Sequence, residues 1–265
     1  NQAILQKRDE FSIILFEEVT NSGRVYMDYS RVHDALWHRH PMGIISKLKK
    51  DLRTMPVAVS PAAHFFMGGV EVDDRCQTSL EGLFACGEVV WGLHGANRRG
   101  GNALTECIVT GMIAGRNAAI NTGFVNPTRI KEGDHTKREH FLKRHSKGDV
   151  TLSEIRRNIR EIAWNNAGIV RSEDRLKNGL NQIESIDVQL AEITPKNVSQ
   201  MKLKEDLFSA LLTLKSIIVA SLGRKESRGS FFRDDFKKED NLSWLKNSAV
   251  SYDNKAYTFE LTHIS

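Results

Sequence analysis

Residues 56–115 read PVAVSPAAHFFMGGVEVDDRCQTSLEGLFACGEVVWGLHGANRRGGNALTECIVTGMIAG, and the rest of the chain is best understood from this segment outward. Val57, Val59, Phe65, Val70 and Val72 mark short strands, interrupted by Pro61 and by the Gly68-Gly69 pair. Thr78–Gly82 is a turn, and Leu83–Ala85 is expected as a short buried strand running into Gly87-Glu88. From Ala103 to Ala119 the pattern is helical, with Gly111, Ala114, Gly115 and Ala118 allowing close approach of a neighbour. His64 sits on an apolar strand, where a histidine is either a satisfied core residue or a ligand. The loop His94–Asn102 concentrates donors between glycines, just before a helix N-terminus. Glycine lets backbone approach a ligand closely, and that helix end favours negative charge, so an anion or an electron-rich heterocycle suits the loop. Glu88, at the end of a strand, is placed like a carboxylate that holds a sugar or ribityl hydroxyl.

On the N-terminal side, Ile4 through Val19 reads as a helix, Asn21–Gly23 as a turn and Arg24–Tyr29 as an alternating strand. Ile44, Ile45, Leu48 and Leu52 predict a second amphipathic helix that stops before Pro56. On the C-terminal side the chain turns helical from Thr151. Thr151 and Glu154 form a capping box ahead of Ile155, Ile159 and Ile162. Ser172-Glu173-Asp174 opens a second helix carrying Leu176, Leu180 and Ile183. A third spans about 199–222, with Leu203, Leu207, Leu211, Leu214 and Ile218 on one face and Gly223 as its stop. The tail is expected to end in a β-hairpin turning at Asp253-Asn254. The fold class is therefore mixed, α+β or α/β, with boundaries at 1–58, 59–125, 126–223 and 224–265.

Composition narrows the function classes. The 265 residues are 40% hydrophobic and 27% charged, which excludes wholesale disorder and fibrous repeats. The apolar runs Ser12–Phe16 and Ser216–Leu222 fall short of the roughly 20 residues of a bilayer span, so no membrane crossing is expected. Asn1 opens the chain without a leader pattern, and a fragment of a longer protein is expected. Basic residues exceed acidic ones by five. The excess between Arg129 and Lys147 is interspersed with acids and lacks aromatic platforms, so nucleic acid is not the expected partner. Cys76, Cys86 and Cys107 have no metal or disulfide spacing and point to a reducing compartment, with Cys86 read as a small buried residue. His135, His140 and His145 recur every five residues, which splays them around a helix; no metal site is expected.

Three linked motifs in the central stretch resemble the fumarate reductase/succinate dehydrogenase flavoprotein family, which includes L-aspartate oxidase. The family pattern P-x-x-H-[YF]-x-M-G-G is matched by Pro61 to Gly69, G-L-[YF]-A-x-G-E by Gly82 to Glu88, and H-G-A-N-R-x-G-[GS]-N-[SA]-L by His94 to Leu104. Arg8-Asp9 with Ser12, Arg24–Asp28, Trp164–Arg171 and Glu226–Trp244 resemble further family elements. The N-terminal G-x-G-x-x-G unit that grips the ADP half of FAD in the family is absent from this sequence. The resemblance thus implies the C-terminal half of such a flavoprotein: the end of a capping domain (1–58), a returning segment of the FAD domain (59–125), a helical domain (126–223) and a tail (224–265).

The implied reaction moves a hydride between FAD and a C4-dicarboxylate, interconverting fumarate and succinate. By resemblance His64 and Arg98 bind a substrate carboxylate, for which arginine's planar fork is suited. Arg8 is implied as the proton donor or acceptor. A guanidinium is a poor acid in water, so this work needs burial and a carboxylate relay. Glu88, Asn102, Ala103 and Leu104 are implied cofactor contacts, and His94 lines either the flavin or the loop interior. Arg224, Arg228 and Arg233 are read as interdomain ion pairs or partner contacts. Implied partners are the N-terminal Rossmann half and an iron–sulfur subunit, which would hold a cytoplasmic chain at the inner face of a membrane. The alternatives are oxidation of an amino dicarboxylate, as in L-aspartate oxidase, and a catalytically silent helical interaction subunit. The isolated chain is expected to bind FAD weakly or not at all.

Overall fold

A computed structural model describes residues 8–40, 42–121, 150–253 and 256–263, which fall into two compact units, Asn1–His64 and Phe65–Ser265. The expectations placed on His135, His140, His145 and the basic run 129–147 lie outside the described residues.

In the first unit, helix α1 (Arg8–Ser22) ends at Gly23, whose φ of +79° reverses the chain. Strand β1 (Val25–Met27) then pairs antiparallel with β2 (Val57–Val59), Val25 opposite Val59. Between them, Trp37 is fully buried and Arg53 lies 5.8 Å over its ring. The Arg53 guanidinium also donates to Val32 O and to Asp34, each at 2.6 Å. The helix expected across Ile44–Leu52 divides instead into a 3-10 segment, Met42–Leu48, and α2 (Lys49–Thr54). With three residues per turn, Ile44 and Leu48 no longer share a face, and both stay exposed.

The second unit opens with few regular strands. The expected strands around Phe65–Val72 and Leu83–Ala85 reduce to single bridges, Val70 to Val90 and Gln77 to Phe84. A strand needs a continuous neighbour to satisfy its backbone, and here each segment finds one paired residue only. Leu83 and Cys86 are exposed, against the expectation that both are buried. Helix α3 (Asn102–Asn121) follows the glycine loop as expected.

Three helices, α4 (Leu152–Ala167), α5 (Glu173–Glu192) and α6 (Val198–Gly223), form the main hydrophobic core. The Thr151 capping box is complete: Thr151 Oγ1 accepts the Glu154 N–H, and the Glu154 carboxylate accepts the Thr151 N–H at 2.7 Å. Between α4 and α5 runs β3 (Val170–Arg171). Ser172 caps α5 and Asn197 caps α6. Gly179 lets the helices close, since a Cβ there would sit 2.9 Å from Asn166 Cβ and 3.0 Å from Ile218 Cδ1. Lys204, 3% exposed, donates from Nζ to Ala191 O and Ile193 O at the negative end of α5, and desolvation lowers its pKa. By length and composition α6 could cross a membrane, contrary to what its short apolar runs suggest. Its Leu207, Leu211, Leu214 and Ile218 are nevertheless buried against α4 and α5, as in the core helix of a bundle.

The tail returns to this bundle. Strand β4 (Phe232–Arg233) pairs parallel with β3, a short α7 (Asn241–Trp244) follows, and β5 (Asn247–Asp253) and β6 (Ala256–Thr262) make the expected hairpin. The turn at Asn254 is outside the described residues. Gly223 is the last residue of α6 and is not left-handed; it is needed because a Cβ would lie 2.5 Å from the Phe259 ring of β6. Arg224, Arg228 and Arg233, read from sequence as interdomain or partner contacts, make ion pairs within this unit. Glu226, fully buried, takes both Arg224 and Arg228, and also accepts the Asp240 N–H at 2.9 Å. Burial pushes the Glu226 carboxyl up, but its bonds to Arg228, Asp240 and Arg224 outweigh that and hold it below the ordinary carboxylate range. Burial, with Arg233 nearby, brings Arg171 down to about 10.

Candidate functional site

The loop between residues 92 and 102 owes its path to Gly92, Gly95 and Gly101, with φ of +106°, +52° and +91°. Its inner anchor is His94, whose Nε2 meets Glu106 Oε2 of α3 at 2.8 Å. Both side chains are almost wholly buried, at 5% and 2% exposure. His94 thus turns its Nε2 into the loop interior toward α3. Glu106 was not singled out from sequence; twelve positions separate it from His94, and no local pattern announces the pair.

Phe65 joins the loop to the preceding motif. Its ring meets His94 edge-on, with centroids 5.2 Å apart. The Arg98 guanidinium lies 4.3 Å over the same ring. The Arg98 backbone N–H donates to Met67 Sδ at 2.9 Å, so the M-G-G segment also sets this arginine's backbone. Arg98 Nη1 reaches only Arg99 O, at 3.4 Å, and Nε is buried with no hydrogen-bond partner among the described residues. A cation held on an aromatic face with an unused buried donor is equipped to take an anion.

The second motif locks to the first. Val70 N–H donates to Val89 O at 2.8 Å and Trp91 N–H to Val70 O at 3.2 Å. Gly69 permits this contact, since a Cβ would lie 2.1 Å from Val89 O. Gly87, with φ of +72°, donates its N–H to Thr110 Oγ1 of α3 at 2.9 Å. Glu88 Oε1 accepts the Phe66 N–H at 2.8 Å while the residue stays exposed. The first turn of α3 presents Asn102 and Leu104 to solvent and leaves Ala103 half-buried. Glu88, His94 and Arg98 are thus tied into one framework by Phe65–Met67, which His94 and Gly87 fasten to α3 through Glu106 and Thr110.

His64 and Arg8 belong to the first unit and are both exposed, His64 at its end and Arg8 at the start of α1. Among the described residues no three His, Cys, Asp or Glu side chains converge in a way that could hold a metal ion. The donor set does fit a flavin: an exposed carboxylate, exposed first-turn positions at a 20-residue helix N-terminus, and the apolar Leu104 beside them.

Comparison with known proteins agrees with this reading. Residues 156–264 match the family described as fumarate reductase flavoprotein C-term, and residues 5–104 match the FAD binding domain family. The chain is 34% identical over 216 residues to the 8-methylmenaquinol:fumarate reductase flavoprotein subunit of Wolinella succinogenes, covering 77% of this chain and 35% of that protein. It is 32% identical over 236 residues to L-aspartate oxidase of Pyrococcus abyssi, covering 88% of this chain and 43% of that one. Among solved structures, quinol fumarate reductase FrdA of E. coli superposes with a TM-score of 0.81 at 26% identity, over 97% of this chain and 48% of that one. The chain therefore spans less than half the length of each of these proteins.

Proposed function

Since this chain belongs to the fumarate reductase/succinate dehydrogenase flavoprotein family, we propose that it is the C-terminal half of a FAD-dependent enzyme interconverting fumarate and succinate. In that protein residues 1–58 complete a capping domain and 59–125 return to the FAD domain. Residues 126–223 make a helical domain, and 224–265 a tail. The N-terminal Rossmann half supplies the grip on the ADP end of FAD. The observation that carries the reading is Arg98, stacked on Phe65 with a buried, unpartnered Nε.

Arg98 is assigned to one carboxylate of the dicarboxylate through its planar fork, and His64 is assigned to substrate binding by family resemblance. Phe65 holds the guanidinium and Met67 the Arg98 backbone N–H, so little ordering remains to be done when substrate arrives. Glu88, Asn102, Ala103 and Leu104 hold the cofactor: the carboxylate takes a hydroxyl, and the first-turn amides face electron-rich oxygens. FAD, once bound, supplies the hydride chemistry. Arg8 carries the proton to or from the neighbouring carbon, assisted by a carboxylate relay. The likeness to quinol fumarate reductase FrdA of E. coli and to the Sdh1 complex of Mycobacterium smegmatis supports partner subunits in general. To these partners we assign an iron–sulfur subunit, which would bring peripheral membrane association with it. The identity to L-aspartate oxidase keeps an amino dicarboxylate as a second substrate for the same clamp.

The test compares Arg98→Lys with the parent in the FAD-loaded protein, using fumarate, succinate and aspartate. Loss of dicarboxylate turnover in the variant supports the reading, and unchanged turnover of all three sinks it. Turnover of aspartate alone by the parent selects the second substrate.

A further inference from the structure

The tail contains a contact that the substrate clamp described above does not use. Arg228 and Phe231 exchange backbone hydrogen bonds, Arg228 N to Phe231 O at 2.8 Å and Phe231 N to Arg228 O at 2.9 Å. The two residues between them are Gly229, with φ of +57°, and Ser230, which is not in the left-handed region. A glycine of positive φ at the first central position is the pattern of a type II′ turn. The tip of this turn is seated on Ala96 of the H-G-A-N-R loop. Ser230 donates to Ala96 O twice, from N at 3.0 Å and from Oγ at 3.2 Å. Gly229 lies so close that a Cβ would be 2.4 Å from that same oxygen.

The turn is held firmly behind its tip. Arg228 places Nε and Nη2 on the two oxygens of buried Glu226, at 2.9 and 3.1 Å, and reaches Glu239 at 2.8 Å and Asn241 at 2.9 Å. Ser227 closes the base by accepting the Arg233 N–H at 2.8 Å and donating to Phe236 O at 2.8 Å. Ala96 is only two residues before Arg98, so fixing its carbonyl restricts the peptide planes that aim the guanidinium.

We infer that Gly229 and Ser230 are positioning residues: the turn they form pins Ala96 O and thereby sets the approach of Arg98 to the substrate carboxylate. The role of Arg98 here rests on the proposed function. The arginine network of the tail then serves the site indirectly, by stiffening the turn that touches the loop.

Hydrogen exchange on the 265-residue chain tests the contact, and kinetics on the FAD-loaded protein test its consequence. In Gly229→Ala the amides of residues 94–99 should exchange about tenfold faster or more, with the helices α4–α6 unchanged. Ser230→Ala, which keeps the backbone donor, should show a smaller rise of about threefold, and Ser230→Thr should restore parent behaviour. In the loaded protein Ser230→Ala should raise the KM for fumarate by more than it lowers kcat. Unchanged loop exchange in both Gly229→Ala and Ser230→Ala would overturn the inference. If Gly229→Ala does not fold, Ser230→Ala with Ser230→Thr decides alone. Faster loop exchange with an unaltered KM would support the pinning contact and count against Arg98 as the substrate arginine, and Arg98→Lys, measured alongside, reports on that reading separately.

Discussion

Arg98 and His94 occupy one loop and use their side chains in opposite ways. His94 is spent on Glu106, a buried pair that fastens the loop to α3. Removing one partner by His94→Ala leaves the Glu106 carboxyl buried without its hydrogen-bond partner, at a cost of about 1–3 kcal/mol. Urea unfolding should show that loss, and a change under about 1 kcal/mol would mean the pair is replaced by water at once. Arg98 keeps a donor in reserve. Arg98→Lys retains charge but loses the fork, and should lower kcat/KM by about 30- to 1000-fold, or roughly 2–4 kcal/mol of transition-state stabilisation. Arg8→Gln should instead collapse turnover with dicarboxylate affinity kept, since its proposed work is proton transfer. Near-normal turnover would remove that assignment. Arg98, Glu88 and the helix start were legible in sequence because glycines and donors crowd within a few residues. Glu106 and Ser230 were not, because their partners lie 12 and 134 positions away.

At the scale of elements, what sequence foretold well was local. The Thr151 box, the helix start at Ser172–Asp174 and the apolar stripes of α4–α6 depend on residues within one turn of each other, and all appear. What it foretold poorly depended on neighbours: the strands around Val70 and Leu83 shrank to single bridges, and Gly223 answers to Phe259 in a distant strand. Thr151→Ala should cost about 1 kcal/mol by loss of the cap, read from the denaturation midpoint of the bundle. Glu226 links these elements to pH. Its folded carboxyl titrates below its unfolded value, so its contribution is present above the unfolded pKa and is lost as pH falls through the folded one. Melting temperature should therefore fall on acidification below the ordinary carboxylate range, and Glu226→Gln should flatten that fall while lowering stability at neutral pH. An acid limb equally steep in the variant would place the titration elsewhere.

Across the whole molecule, two compact units carry residues of one proposed chemistry, His64 and Arg8 in the first and Arg98 in the second. The resemblance was readable because three motifs keep their order and spacing over 44 positions, from Pro61 to Leu104. How the units combine with a Rossmann half is not a property of any short segment, and periodicity carries no signal for it. On the proposed function a Rossmann half supplies the ADP grip, so the 265-residue chain by itself is expected to hold FAD weakly. The most direct test of the central claim is binding of fumarate to the FAD-loaded protein, followed through the flavin absorbance, in parent and Arg98→Lys. A saturable perturbation in the parent, weakened about 30-fold or more in the variant, is the predicted result. Equal perturbation in both would contradict the assignment of Arg98 as the group that recognises the dicarboxylate.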